Sequence, residues 1–496
     1  METVAGGRST EMTSPAPSDS RRSIISGSVV TIASQAVVLV LSLLSQRIIL
    51  STLSKEENGD LFLVRRMVEL FALLIIDVGF NPGTLREASR DSASQRVVLS
   101  TIAVYRVCAW LVVSGLLIAY EVATGANPTA VILWCCYLLI AGRSSLLRYL
   151  YEIPQRSAMK FGRPLLHGIL DSALLTLGVY LFREELTPTV VLGIFAVSVM
   201  PGMLLQMSAV GWTMLSVRYF DLSVLRSHMR MAFPVWITVV LMVIHDRLDA
   251  LMLSMLASKD VVGTFGAAYQ MLVPFTTTLP VAAGSVLLPV VARLSQSHPE
   301  RASTYVATVV RLLTATGLVV ASVSTIYVPD MIRIMTNDVY ADDVSVFSVL
   351  LWSAAPIFVV TYVIEAMHAY GHQRLNIRIV LSLAVSTVVV GVVLIPMMGA
   401  VGASITKLVS VAFSGVVAVA LILRVTKRML SWATVVRGAL SLLLCVALAL
   451  VMPIVVNRYV AGPVVLIGTT AIIVAMGLVR RSDLVLIFGA RLGRRS

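Results

Sequence analysis

The sequence predicts an all-α polytopic membrane protein, and three observations carry that prediction. The 496 residues are 58% hydrophobic and only 13% charged, well below the roughly 25% charged content of an average soluble domain. Apolar runs of about 20 residues, the length that crosses a bilayer core, recur along nearly the whole chain. The short strands of alternating polarity that mark an outer-membrane barrel do not occur in the pattern.

Taken in order, the apolar runs place about fourteen spans at 24–46, 61–80, 100–120, 128–147, 164–182, 188–209, 231–256, 265–291, 303–326, 344–366, 376–396, 399–422, 434–456 and 462–480. Residues 1–20 are rich in Ser, Thr, Pro and Gly and read as a disordered cytoplasmic tail. The first run behind Arg21 and Arg22 is too long for a signal peptide and is expected to remain as a span. TPTV at 187–190 and IPMMGAVGAS at 395–404 read as tight turns. The stretch 327–343 reads as an external connection with a short interfacial helix. Cys108, Cys135, Cys136 and Cys445 lie in apolar runs without metal spacing, as small buried hydrophobes would.

The formal net charge of +13 invites a nucleic-acid reading, but its distribution is topological. With a cytoplasmic amino terminus, the even-numbered connections hold clusters such as Arg143, Arg148, Arg156, Lys160 and Arg163, or Arg424, Lys427, Arg428 and Arg437. The odd-numbered connections carry only Arg47, Lys55, Arg183, Lys259, Arg333 and Arg458. This is the positive-inside pattern of an inner (cytoplasmic) membrane protein with both termini in the cytoplasm. No nucleic-acid partner is expected.

A faint internal likeness divides the chain. LSTLSKEENGDLF (50–62) lies over LSMLASKDVVGTF (253–265) with a one-residue slip, matching Lys55 with Lys259 and Gly59 with Gly263. A parallel repeat of this kind implies two pseudo-symmetric six-helix lobes, 21–230 and 231–430, around a central cavity. Residues 431–496 then add two extra helices and a basic cytoplasmic tail.

Span 7 carries His245, Asp246, Arg247 and Asp249 near mid-membrane, where ionisable groups are costly and mark pathways, relays or buried pairs. At about 100° per residue, His245, Asp246 and Asp249 share one side, and Arg247 points well away from Asp249. The helix does not neutralise itself and offers Arg247 to its edge or to a neighbouring helix. Span 2 adds Arg65, Arg66, Glu69 and Asp77, with Glu69 in reach of both arginines. Arg65 and Arg66 read equally well as snorkelling to the interface. Lys407 sits inside span 12 and needs a partner, water or an anion. Arg106, Asp171, Arg311 and Glu365 read as nearer helix ends. Arg65, Arg66, Arg247 and Lys407 suit an anionic head group, with Glu69, Asp77, His245, Asp246 and Asp249 as coupling or cavity residues. The alternative is an ion-pair network that locks helices together.

Bond-making chemistry has no signature here: there is no Walker loop, HExxH or nucleophile elbow. No enzyme activity, cofactor or metal is expected.

RLDALMLSMLASKDVVGTFGAAYQMLVPFTTTLPVAAGSVLLPVVARLSQ (247–296) resembles the central segment of polysaccharide-export flippases, the lipid-linked oligosaccharide translocases of the multidrug/oligosaccharidyl-lipid/polysaccharide exporter superfamily. Asp249, the run from Gly263 to Tyr269, and Pro289 followed by Arg293 match that family's pattern. LIPMMGAVGASITK (394–407), LLSQRIILSTLSKEENGDLFLVRR (43–66) and Asp77-Val78-Gly79 are also similar to its motifs. The usual Tyr of the central turn is displaced to Phe265. The resemblance implies a two-lobed, V-shaped protein that passes an undecaprenyl-diphosphate-linked oligosaccharide outward by alternating access, for exopolysaccharide or surface polysaccharide assembly. Arg65, Arg66, Arg247 and Lys407 would neutralise the diphosphate. Membrane lipids, a polysaccharide polymerase and glycosyltransferases are the implied partners. The runner-up is a lipid II flippase of peptidoglycan synthesis, although the interior of 24–46 lacks that family's arginines. A proton- or sodium-coupled multidrug antiporter and a non-transporting scaffold of a polymer-synthesis complex are further alternatives.

Overall fold

Capping side chains, prolines and glycines set the helix boundaries. In the computed structural model, which describes residues 17–71, 92–124, 147–157, 162–272, 291, 294–295, 297–427 and 432–479, α1 (Pro17–Thr52) turns into α2 (Lys55–Phe71) through a capping box. The backbone N–H of Ser54 donates to Glu57 at 2.9 Å, and the Glu57 N–H to Ser54 Oγ at 3.3 Å, satisfying two orphan donors. Next come α3 (Ser92–Thr124), α4 (Arg148–Ser157) and α5 (Gly162–Leu181). Thr187 caps α6 (Pro188–Ser198), and Pro201 follows the break that separates it from α7 (Met200–Val210).

Asp221 accepts from the backbone of Ser223 and Val224 to start α8 (Leu222–Leu256), which runs on into α9 (259–272) after a short turn. Then follow α10 (Pro299–Thr336), α11 (Val344–Trp352), α12 (Ala354–Ala369), α13 (Asn376–Val425), α14 (Trp432–Val455) and α15 (Arg458–Ala475). Gly399, at φ 54°, reverses α13 into two antiparallel arms. The Ser414 hydroxyl lies 2.8 Å from that of Ser382, and 3.1 Å from the Ile379 carbonyl, across the arms.

Among the described residues all regular structure is helical, and seven helices are long and apolar enough to cross a membrane. One of the seven is the folded-back α13, and shorter apolar helices lie at Ala36–Thr52 and Leu165–Leu181. All but the last residue of the span expected at 128–147 lies outside the described residues, as do parts of 61–80 and 265–291. Val388, Val389, Val392 and Val393 on α13 are exposed. An apolar face that broad suits lipid, not water.

Several expectations are corrected. α1 starts at Pro17, inside the expected 1–20 tail. Residues 327–336 are the end of α10, because Pro329 is accommodated within the helix, and only the turn Ala341–Asp343 follows before α11. Residues 148–157, read as a loop, form α4. Cys108 is exposed on the same face of α3 as Leu111 and Val112, whereas Cys445 is buried.

Two interior regions lie on either side of a bridge. Ile49, Leu53, Val68, Val113, Val179 and Leu192 pack in the first half, and Val309, Phe358, Val363, Ile379 and Leu421 in the second. Leu50 and Phe62 join Leu253, Phe265, Tyr340 and Phe347 in a cluster that ties the halves together. α8 takes part in both: Trp236 packs with the first half, Leu253 with the bridge.

Candidate functional site

The bridge is built around two glycines. A Cβ added at Gly59 would overlap the Lys259 carbonyl, and one at Gly263 would overlap the Lys55 carbonyl. The contact is reciprocal about the repeat read from 50–62 and 253–265, so the two halves meet as pseudo-symmetric mates. Bare glycine lets α2 and α9 approach backbone to backbone. Asn58 Nδ2 donates to the Gly263 carbonyl at 3.0 Å and fixes the register. Outside the glycines, Lys55 pairs with Asp343 at 2.7 Å and Lys259 with Asp60 at 3.0 Å. Inside them, Phe62, Phe265 and Tyr269 form an aromatic layer with ring centroids 6.1–6.4 Å apart.

Below the aromatic layer lies the charge cluster. Arg65, Arg66 and Glu69 come from α2, Arg247 and Asp249 from α8, Tyr269 and Gln270 from α9, and Lys407 from the second arm of α13. At 1.5 Å per residue, the charged groups sit about 12–24 Å below the turns at 53, 257 and 399, well inside a core about 30 Å thick.

Arg247 reaches Glu69 at 2.5 Å, and Arg66 approaches the same carboxylate at 3.6 Å. Lys407 pairs with Asp249 at 2.9 Å. Tyr269 is shared: the Arg66 guanidinium lies 4.4 Å from its ring centre and the Lys407 ammonium 5.6 Å, as cation–π attraction favours. Arg65 is held by Gln270 at 3.3 Å and by the Phe195 ring at 4.7 Å. The interior placement of Arg65 and Arg66 replaces the snorkelling alternative. Four cations against two carboxylates leave this set net positive.

Arg247, Asp249 and Lys407 are only 2–4% exposed. They are buried against paired groups, and do not line an open cavity in this conformation. Asp77 lies outside the described residues, as do the side chains of His245 and Asp246. Arg106, read as a helix-end residue, is fully buried in α3. Gln270 and Phe195 carry no sequence signal of their role. Tyr269, quoted only as part of a motif, is the ring on which two cations converge.

Two helical halves thus contribute cations to one buried cluster, in a multi-pass membrane protein. The chain belongs to the polysaccharide biosynthesis protein family, whose model matches residues 21–295. No curated protein matches it by sequence. Its structure is similar to that of the lipid II flippase MurJ in an inward closed conformation, at TM-score 0.69 and 13% identity over 93% of this chain and 100% of that one. It is also similar to an inward-facing multidrug resistance MATE family transporter of the MOP superfamily, at TM-score 0.64 and 14% identity over 80% and 99% of the two chains. The Vibrio cholerae MATE transporter VcmN in the bent form gives 0.53 and 13%, over 83% and 98%. These likenesses establish a shared fold.

Proposed function

We propose that the protein is a flippase that carries undecaprenyl-diphosphate-linked oligosaccharide repeat units from the cytoplasmic to the external leaflet of the inner membrane. Arg65, Arg66, Arg247 and Lys407 bind the diphosphate, the polyprenyl tail stays in lipid, and the lobes rock about the cluster. The observation that carries this reading is the convergence of these four cations at mid-depth from both halves of a polysaccharide biosynthesis family chain.

Glu69 and Asp249 act as internal counter-ions. A diphosphate offers more oxygens than either carboxylate, and a guanidinium fork matches them. Substrate takes the cations by exchange, and Glu69 and Asp249, released from Arg247 and Lys407, then take up a proton or share the remaining cations, because an unpaired buried charge is costly. The layers at Gly59 and Gly263 close the external side in this conformation and part to release the sugar. An inside-negative potential favours outward movement of net negative charge by about 2.3 kcal/mol per charge per 100 mV.

Reconstitution into liposomes with a fluorescent undecaprenyl-diphosphate oligosaccharide tests the proposal. Arrival in the opposite leaflet should exceed empty liposomes. It should fall about ten-fold or more in Arg247→Gln/Glu69→Gln, which removes a charge-assisted contact worth about 1.5–3 kcal/mol while keeping the cluster's charge unchanged. Undiminished movement in that variant sinks the assignment of the site. The likeness to MurJ over 93% of the chain favours lipid II as the second cargo to test. Movement of lipid II alone would replace the repeat-unit reading, and proton- or sodium-driven uptake of organic cations would replace both.

A further inference from the structure

A second buried polar cluster lies in the first half and shares no residue with the arginine–lysine site. α4 supplies Glu152 and Gln155, α5 supplies His167 and, one turn on, Asp171, and α7 supplies Gln206. Glu152, Gln155, His167 and Gln206 are 3%, 8%, 9% and 0% exposed. Gly202, one turn before Gln206, brings α7 onto this group: an added Cβ would overlap the Asp171 carboxylate and lie 3.3 Å from His167 Cβ.

His167 Nδ1 faces two partners with opposite demands. It lies 3.0 Å from Gln206 Nε2, an amide donor, and 3.3 Å from Glu152 Oε1, an acceptor. With a bare Nδ1 the ring accepts from Gln206. With a proton there it donates to Glu152, and Gln206 must turn its amide oxygen inward. Gln155 Nε2 now donates to Gln206 Oε1 and to the Tyr151 carbonyl. Turning Gln206 therefore obliges Gln155 to turn and release Tyr151. One proton on α5 thus rearranges contacts on α7 and α4.

We propose that Glu152, His167 and Asp171, relayed by Gln155 and Gln206, form a proton-binding site whose occupancy sets the packing of α4, α5 and α7. Imidazole is the side chain that ordinarily changes charge between about pH 5 and 8. α6 and α7 bring no titratable group to the site, α1 brings none between Ser34 and Gln46, and α3, packed on α4 through Leu99, Ile102 and Leu150, carries Tyr105 and the fully buried Arg106. α4 also carries Tyr151, Arg148 and Arg156, and α5 begins with an exposed Arg163. His167 stands five residues inside α5, about 7.5 Å from its start, at the end that these basic residues mark as cytoplasmic. The proposal rests on lobe rearrangement, not on the identity of the cargo.

Proton uptake on a pH jump, counted with a dye in weakly buffered detergent solution, tests binding. Spin labels at Glu56→Cys and Asp260→Cys, with Cys108, Cys135, Cys136 and Cys445 replaced by Ala, report the approach of the halves. Between pH 8 and 5, His167→Gln should take up about one proton fewer than wild type. Glu152→Gln, which keeps the histidine, should move that uptake to lower pH. The wild-type label distance should respond to pH, and both variants should lose the response. Glu152→Gln carries the test if His167→Gln does not fold. Unchanged uptake and distance response in Glu152→Gln would overturn the proposal. So would replacement of potassium by sodium at constant pH producing the same shift, because the site would then bind a metal cation. A preserved pH response without any lipid transport would sink the flippase reading and leave the proton site standing.

Discussion

The molecule holds two sets of ion pairs of nearly equal length and opposite character. Lys55–Asp343 and Lys259–Asp60 close at 2.7 and 3.0 Å with side chains 23–64% exposed. Lys407–Asp249 closes at 2.9 Å and Arg247–Glu69 at 2.5 Å, with side chains only 3–11% exposed. Water screens the first set, so each pair contributes about 0–1 kcal/mol. In the second set the attraction is strong, but so is the cost of leaving either partner alone. Distance therefore says little about what a pair does. The exposed pairs decorate the junction of the halves. The enclosed pairs commit three helices, α2, α8 and α13, to one arrangement.

The sharpest way to break this comparison is to orphan a buried charge. Glu69→Ala removes the carboxylate that both Arg247 and Arg66 face and should destabilise the detergent-solubilised protein by about 3–5 kcal/mol, read by thermal unfolding. Glu69→Leu with Arg247→Leu should recover most of that loss while abolishing transport. A single-variant cost below about 1 kcal/mol would place the cluster with the surface pairs.

Next in size is the glycine contact. Gly263→Ala meets a backbone carbonyl that cannot swing aside, so the closest approach of α2 and α9 should be lost at about 1–3 kcal/mol, with a longer label distance between positions 56 and 260. Gly59→Ala should behave alike. An effect at only one of the two glycines would deny the reciprocity.

Lys259→Gln should cost less than about 1 kcal/mol. The wild-type excess over it should shrink between low salt and about 1 M, where the screening length is only about 3 Å. The smallest effect belongs to Asp221. The hydroxyl of Ser223 and then the backbone N–H groups of Ser223 and Val224 hold its carboxyl below the usual carboxylate range. A lowered folded-state value means that the cap's contribution is complete above the unfolded value, about 3.9, and is lost as pH falls through the folded one. Asp221→Ala should therefore lower the melting temperature slightly at neutral pH and converge on wild type at the acid end, flattening the acid limb of the profile.

Much of this architecture was legible in the sequence because a bilayer demands long apolar runs and charge-sorted connections. The helical angle between Arg247 and Asp249 already required them to find different partners, and they do. The identity of those partners was not legible: Glu69 and Lys407 lie far along the chain, and only packing brings them near. α4 escaped notice because RYLYEIPQRS is too polar and too short to stand out, yet its buried face carries Glu152 and Gln155. Asp171 was discounted for its nearness to a helix end, a rule that overlooks Gly202 pressing a second helix onto it. The likeness of two thirteen-residue turns, faint as text, corresponds to a physical contact.

That contact has a further meaning. A surface on which Gly59 touches the Lys259 carbonyl while Gly263 touches the Lys55 carbonyl is isologous in the sense used for homodimers, though both partners belong to one polypeptide. Within one chain the mates can differ everywhere except where they touch. Asp60 answers Lys259, but its counterpart Thr264 cannot answer Lys55, which turns to Asp343 instead. The joint thus preserves the geometry of a two-subunit assembly inside a single chain, with its asymmetry written first in the charges around it.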